Sequence, residues 1–445
     1  MSLTQSLSKI ARKAGLPLAG KASDFDPLIK AIGDARYVLI GEASHGTHEF
    51  YEMRAQITQR LITEQGFTGV VVESDWPDAY RVNRYVRGCP RDASAEKALS
   101  GFHRFPQWMW RNREVLEFVE WLRKHNNSAA EGQSKCGFYG MDLYSLYDSM
   151  EEVLKYLEKA DPEAAKNARE RYRCFQRYAD DPQAYGRAAS YGSRSCEHEA
   201  IAQLLDLQRR AGDLTQRDGI AADDEYFFAE QNARLVQNAE EYYREMFTGR
   251  VETWNLRDTH MTDTIGALTA HLDRTRKQRT KLVVWAHNSH LGDARHTESG
   301  KGGELNVGQL CRERWGEEVF NIGFTTHTGT VAAAENWGED VQIKRVNPSM
   351  EGSWERVLHD AAVPNYALIF RGNAELAKAF AGQRVERAIG VIYRPQTERW
   401  SHYFNASLSK QFDAVIHIDE TTAVKPLEKS APFELDKAET YPSGV

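Results

Sequence analysis

Eight short runs of consecutive apolar residues punctuate the chain: RYVLIG (36–41), TGVVVES (68–74), CGFYGMD (136–142), KLVVWAH (281–287), VFNIGF (319–324), NYALIF (365–370), AIGVIY (388–393) and AVIHI (414–418). They are rich in β-branched and aromatic side chains and apolar on successive positions, the pattern of strands covered on both faces. Between them, apolar residues recur at helical spacing, as in Phe50, Met53, Ile57 and Leu61. Strands alternating with helices predict βαβ units and an α/β fold with a mostly parallel sheet flanked by helices.

From Tyr144 to Leu272 the strand pattern stops, and charge-rich amphipathic segments such as SMEEVLKYLEKA take over. This predicts a helical cap inserted at 144–272 into a catalytic core made of 1–143 and 273–424. Asp161-Pro162, Asp181-Pro182 and Gly212 read as helix boundaries within it. The cap aromatics Tyr172, Phe175, Tyr226, Phe227, Phe228, Tyr242 and Tyr243 fall at helical spacing, which favours the cap's own core over a pocket lining. Residues 425–445 lack periodicity and read as a surface tail.

Composition changes little in this picture. With 41% hydrophobic, 27% charged and 11% aromatic residues over 445 positions, the chain is of ordinary globular type. The net charge of −7 and the spread of Lys and Arg along the length point away from nucleic-acid and membrane-surface partners. No apolar run approaches the roughly 18 residues of a membrane span, and the first 20 residues read as a short helix without a secretory h-region. Cys89, Cys136, Cys174, Cys196 and Cys311 are widely spaced, with no CxxC pair, and read as reduced thiols of a cytoplasmic protein.

Candidate chemistry gathers where strands end. In VLIGEASHGTHEFYEMR a strand runs into Glu42, and His45 follows in the turn before a helix. Ligands of α/β sheets bind outside the carboxyl ends of strands. Ser44 and Thr47 are candidate N-caps, and the helix dipole would keep a nearby histidine partly neutral, as a general base requires. Arg54 falls inside the apolar stripe of that helix and must meet a carboxylate or an anionic ligand, with Glu73 at the end of the next strand as first candidate. KLVVWAHNSHLGD brings His287 and His290 to the same rim. Arg257 and Asp258 lie on an apolar helix face with Trp254, Met261, Ile265 and Leu268, where they pair with each other or reach the sheet edge. Tyr393 ends the run AIGVIY, and Arg394, Glu398 and His402 come after it, beyond another expected strand end.

Some signatures are missing. G-x-S-x-G is absent and Ser44 adjoins His45, a poor arrangement for a nucleophile and its base, so a serine hydrolase is disfavoured. Neither a Walker A loop nor G-x-G-x-x-G occurs, which leaves nucleotide cofactors without footing. H-E-x-x-H is also absent, although His45 with His48 and His287 with His290 leave a metal site with Glu42 and Glu73 open.

Taken together, GEASHGTHEFYEMR, VVVESDW, NLRDTHM, VVWAHNSHLGD and YRPQTERWSHYF resemble the erythromycin esterase family, over about residues 25 to 420. The resemblance implies an α/β core with a helical cap, and ester or macrolactone hydrolysis without a cofactor. It matches the family's essential histidine to His45, its preceding acid to Glu42, the inward arginine to Arg54, the second strand-end acid to Glu73 and the later histidine pair to His287 and His290.

The expected mechanism is attack by water on an ester or lactone of a small molecule. His45 acts as base, oriented by Glu42 or Glu73. His287 joins this catalytic group, while Arg54, His290, Arg257, Asp258, Tyr393 and His402 bind substrate or the oxyanion. Two alternatives stay open: a metal-dependent hydrolase of a peptide, amide or phosphoester bond, and a non-catalytic protein that holds a small molecule or saccharide.

Overall fold

The computed structural model describes residues 3–130, 134–178, 181–211, 214, 220–247 and 249–427. Its main sheet contains β1 (Leu16–Pro17), β2 (Tyr37–Ile40), β3 (Gly69–Asp75), β4 (Gly137–Asp142), β5 (Leu282–Trp285), β6 (Val319–Ala333), β7 (Gln342–Val346) and β8 (Asn365–Ile369). A small hairpin pairs β9 (Arg384–Arg387) with β10 (Tyr403–Ala406), and β11 (Ala414–Thr421) returns to the main sheet.

The strand order is β1-β8-β11-β6-β2-β5-β3-β4, with β7 attached to β6. From β11 to β4 every neighbouring pair is parallel, while β1, β7 and β8 pair antiparallel at the margins. This is the mostly parallel α/β sheet that the apolar runs predict.

Alternate residues of the central strands feed two separate cores. Val38, Ile40, Val70, Val72, Val283 and Trp285 face one cluster, packed under Phe50, Ile57 and Leu61 of the helix His48–Gln65. Tyr37, Leu39, Val71, Leu282 and Val284 face the other, covered by the long helices that follow β4. A period of two with both faces buried is what produces the unbroken apolar runs.

Between β4 and β5 the described residues contain no strand. Helices Leu146–Ala160, Pro162–Gln176, Pro182–Ser190, Glu197–Arg209, Ile220–Glu245 and Arg250–Arg276 fill the interval. Asp161 and Asp181 cap two of them, accepting from the backbone N–H groups of Ala164 (3.1 Å) and Ala184 (2.9 Å), with proline in the first turn. All seven aromatics singled out in this region are buried in the second core cluster. Gly212 lies outside the described residues, as does the expected tail from residue 428 on. Among the described residues no helix is long and apolar enough to cross a membrane.

Two expectations need correction. Ala388–Tyr393 is no strand but a buried crossing segment that forms isolated bridges, Ser44 with Ile389 and Ala334 with Ile392, while the strand lies earlier at β9. Its apolar character comes from burial in the crossing. Nor are all cysteines reduced, since Cys174 and Cys196 are disulfide-bonded with Cα atoms 6.0 Å apart. Cys174 lies in the helix Pro162–Gln176 and Cys196 is the N-cap of Glu197–Arg209, a proximity that their spacing of 22 does not reveal. The pairing removes the cysteine-based argument for a reducing compartment.

Candidate active site

Four parallel strands deliver acids and histidines to one edge of the sheet. β2 leads into Glu42 and His45, β3 carries Glu73, β4 ends in Asp142, and β5 runs into His287. Two glycines make the first turn possible. A Cβ on Gly41 would overlap Asn288 Oδ1, and Gly46 has φ +71°, where a Cβ would run into the Ala332 carbonyl and the Trp108 ring. The Gly46 carbonyl accepts from Ala332 N (3.1 Å) and Val424 N (3.0 Å), and His45 N donates to the Ile389 carbonyl (3.0 Å). The crossing segment and the chain beyond β11 thus clamp the His45 turn. Thr47 is the N-cap of the next helix by backbone position, but its hydroxyl bonds Ser44 Oγ instead of capping.

Within the turn, His45 Nδ1 lies 2.8 Å from Glu42 Oε1. A carboxylate accepts only, so Nδ1 carries a proton, and in the neutral ring the lone pair is left on Nε2. Glu42 Oε2 sits 3.5 Å from Arg54 Nη2, which corrects the expected Arg54–Glu73 pairing. The Arg54 guanidinium is fully buried between the rings of Tyr51 (4.4 Å) and Trp285 (4.8 Å), so its contact with solvent is replaced by one carboxylate and two aromatic faces.

Glu73 belongs to a second network. Its Oε1 accepts from Arg257 Nη2 (2.8 Å) and its Oε2 from the backbone N–H of His287 (2.8 Å). Arg257 also grips Asp142 with two bonds, Nε to Oδ1 (2.9 Å) and Nη2 to Oδ2 (2.7 Å). Burial opposes ionisation of Glu73, but His290, Arg257 and His45 outweigh it and hold the carboxyl well below its usual range. Burial also works against the Arg257 charge, and Asp142, Tyr144 and Glu73 keep it protonated. Arg257 and Asp258 do not pair with each other: Asp258 accepts from His290 Nδ1 (2.9 Å) and Val307 N (3.0 Å).

The two later histidines differ. His287 Nδ1 accepts from the backbone N–H of Ser289 (3.2 Å), which places the proton of the neutral ring on Nε2, on the side of the Ala43 backbone. Burial, reinforced by His45 with ring centroids 4.8 Å apart, pushes the His287 pKa well below the usual value and keeps the ring neutral. His290 is stacked on Trp254 at 4.6 Å, and Arg257 Nη1 approaches its Nε2 at 3.0 Å. Burial and that guanidinium oppose its charge, yet Asp258 and Glu73 prevail and its pKa is pushed up to about 9.

This raised value has a consequence for stability. The His290 contribution is complete below the unfolded value of 6.5 and is lost as pH rises through about 9. The Tm of the wild-type protein is expected to fall over that interval more steeply than that of His290→Asn. Parallel Tm profiles would show that His290 is not charged in the folded state.

A cavity opens against this edge. His45, Glu73, Asp142 and Arg257 line it, with Ser74, Asp75, Asp78, Arg104, Tyr144 and the rings of Phe102, Phe105, Trp110 and Trp337. Glu42, Arg54, His287, His290 and Asp258 stand behind them, almost fully buried, where they position the lining groups. Arg54, His290 and Asp258 thus stand behind the lining and not in it. Tyr393 is also removed from the cavity: its buried hydroxyl donates to Glu398 Oε1 (2.9 Å), which Arg387 pairs at 3.1 Å. His402 lines a different cavity with Trp254, Ser289 and Gln411. Asp142, Asp75, Asp78, Arg104 and Tyr144 escaped the sequence reading. Asp142 carried a signal, as the last residue of an apolar strand.

Among the described residues no three His, Cys, Asp or Glu side chains are grouped to hold a metal ion. The acids offered as ligands are turned to cations instead, Glu42 to Arg54 and Glu73 to Arg257.

A mostly parallel α/β sheet thus sets a histidine–carboxylate pair against a cavity outside its strand ends. The model of the family described as erythromycin esterase matches residues 62–421, and the chain belongs to that family. It is 25% identical over 419 residues to an erythromycin esterase type II of Escherichia coli, covering 90% of this chain and 93% of that one. It is 20% identical over 408 residues to the putative hydrolase YbfO of Bacillus subtilis, covering 89% and 86%. Among solved structures, a succinoglycan biosynthesis protein matches with TM-score 0.75 at 22% identity, over 96% of this chain and 99% of that one. A mutant of the erythromycin esterase EreC in its open conformation matches with TM-score 0.65 at 18% identity, over 94% and 96%.

Proposed function

We propose that the protein hydrolyses carboxylic esters or lactones with water activated by His45. The observation that carries this reading is the Glu42–His45 pair: Nδ1 is committed to the carboxylate at 2.8 Å, and the ring, with its Nε2 lone pair, lines the cavity. Nε2 takes a proton from water as the oxygen attacks the carbonyl carbon. Arg257, the lining cation nearest Glu73 and Asp142, stabilises the developing oxyanion, a type of interaction that supplies about 3–4 kcal/mol of barrier lowering. Collapse of the tetrahedral intermediate expels the alkoxide, which recovers the proton from His45. His287 holds the His45 ring from the side away from the cavity.

No acyl-enzyme is involved in this scheme. Ser44 Oγ is bonded to Thr47, and Ser74 Oγ has no hydrogen-bond partner and hence no base to activate it. Family membership and the names of the relatives support the hydrolase class, and their named substrate makes macrolactones the first compounds to try. The test is incubation with aryl esters and macrolactones in isotopically labelled water, with and without chelator, followed by mass spectrometry. Acid products carrying one solvent oxygen, formed at equal rates in both conditions, are expected. No turnover of any ester or lactone overturns the reading, and loss of turnover with chelator replaces His45-activated water by metal chemistry.

A further inference from the structure

The buried acids of the site each have a cation beside them: Glu42 has Arg54, and Glu73 and Asp142 share Arg257. Glu386 does not. It is 1% exposed on β9, opposite Phe404 of β10, and has no ion-pair partner among the described residues. Its carboxyl accepts from a neutral donor, Gln411 Nε2 (2.6 Å), on the short helix Leu408–Gln411. The charged groups of the elements packed around it are engaged elsewhere. On the helix Trp354–His359, Glu355 accepts from the backbone N–H of Arg387 (2.8 Å), while Arg356 and His359 pair with Asp360 (3.0 Å) and Asp419 (2.6 Å). On β9 itself, Arg384 donates to the Gly352 carbonyl (3.0 Å), and Arg387 pairs with Glu398 (3.1 Å) and donates to the carbonyls of Asn347, Thr326 and His327. The Tyr403 hydroxyl of β10 accepts from Met350 N (3.0 Å), and Lys410, next to Gln411, is exposed.

A carboxylate buried without a cation is too costly to keep, and such a group takes up a proton instead. Burial, reinforced by the Glu355 charge and opposed by Gln411, pushes the Glu386 pKa up to about 8. This neutral acid sits at the root of the crossing segment. Arg387 N is tied to Glu355 and Ala388 N to the His402 carbonyl (2.9 Å); next, Ile389 N donates to the Ala43 carbonyl (2.9 Å) and its own carbonyl accepts from His45 N (3.0 Å). Gln411 carries the other end of the tie, its carbonyl accepting from Asp293 N (3.3 Å) in the loop that follows His290. Ionised, Glu386 would add a second negative charge to the interior near Glu355. Movement of β9 toward water relieves that repulsion, and it draws Arg387 N off Glu355 and takes Ile389 with it. We infer that Glu386 is a positioning residue for His45: as a neutral acid it anchors the crossing segment, and its ionisation loosens the clamp on the His45 turn.

The effect on rate rests on the reading of His45 as base, but the clamp can be followed without turnover. Difference infrared spectroscopy of the wild type against Glu386→Gln, whose amide imitates the neutral acid, is expected to show a carboxylic-acid C=O band that fades as pH rises through about 8. Over the same interval the protection factors of the His45 and Ile389 N–H groups are expected to fall about tenfold in the wild type and to stay level in Glu386→Gln. The Tm of the wild type should also fall relative to that variant from the ordinary carboxyl value of 4.5 up to about 8, because a raised folded value gives stability that is complete in acid and lost through that value. Glu355→Gln removes the opposing charge and should move these transitions to lower pH, a shift that a merely structural Glu386 does not produce. The inference is overturned if Glu386→Gln removes no acid band, or if protection of His45 and Ile389 in the wild type does not change across about pH 8, a result that needs no variant to fold. If no ester or lactone is hydrolysed while the band and the protection change as expected, the hydrolase reading fails and the anchoring role of Glu386 remains.

Discussion

Replacing His45 with alanine is expected to lower kcat/KM for ester hydrolysis by about 10²- to 10⁴-fold, with the loss in kcat and little change in KM. In the proposed scheme the ring is the base, its Nδ1 engaged by Glu42 at 2.8 Å. Its removal deletes the proposed proton transfer and leaves the lining rings of Phe102, Phe105, Trp110 and Trp337 in place. Stability should change little by comparison, because the Glu42 carboxylate keeps Arg54 as its partner at 3.5 Å. Steady-state kinetics beside a thermal melt separates the possibilities. Full activity in His45→Ala would assign the base elsewhere, and a collapse of Tm would make the loss of rate a folding effect. Glu42→Gln offers a graded comparison, since the amide oxygen still accepts from Nδ1 while Arg54 loses its only ion-pair partner among the described residues.

The largest structural effect is expected at Arg257. Its guanidinium makes bonds to Asp142 and Glu73, all three groups being buried. Arg257→Ala leaves two carboxylates in the interior without their cation, a change that costs about 3–5 kcal/mol. With an unfolding entropy of roughly 2.1 cal/mol/K per residue, each kcal/mol is about 1 °C for a chain of this length, so Tm should fall by about 3–5 °C. The sign of the pH dependence follows from Glu73. Its depressed pKa in the wild type adds stability above its ordinary value of 4.5, and that stability is lost as pH falls further, through the depressed value. The gap in Tm between wild type and Arg257→Ala should therefore be widest near neutrality and narrow in acid. A gap that is constant with pH would mean that Arg257 stabilises through packing on Tyr144, 4.9 Å from its guanidinium, and not through charge.

The central sheet was readable because its strands are buried on both faces and thus written in unbroken apolar residues. β7 was not, since QIKRV at the margin exposes three of its five positions, and neither was β9, whose RVER is mostly charged. Ala388–Tyr393 misled for the converse reason: it is apolar because it is buried across the His45 turn, with only isolated bridges to its neighbours. Inward-facing charge was legible at Arg54 and Arg257, but the partners were not. Arg257 meets residues 115 and 184 positions away, and sequence spacing on a helix says which way a side chain faces without saying what stands opposite. For Arg54 two strand-end acids were available, and the nearer in sequence, Glu42, holds it. Asp142 went unnoticed because a single aspartate ending a strand forms no motif. Its importance appears only when β4 pairs with β3 and sets it beside the Glu73 strand.

The clamp on the His45 turn also orders events during synthesis. β2, which carries the turn, emerges early, yet its neighbours in the sheet are β5 and β6, and Glu49 just beyond the turn bonds Thr422, 373 positions later. At a synthesis rate of about 5–20 residues per second, the first strand of the site waits tens of seconds on the ribosome for the segments that hold it. Contacts of such long range are slow to close, and until they do the apolar run at β2 has no sheet to join. A nascent chain stopped short of residue 424 would hold Glu42, His45, Glu73 and Arg257 and still lack the backbone bond from Val424 that clamps the His45 turn.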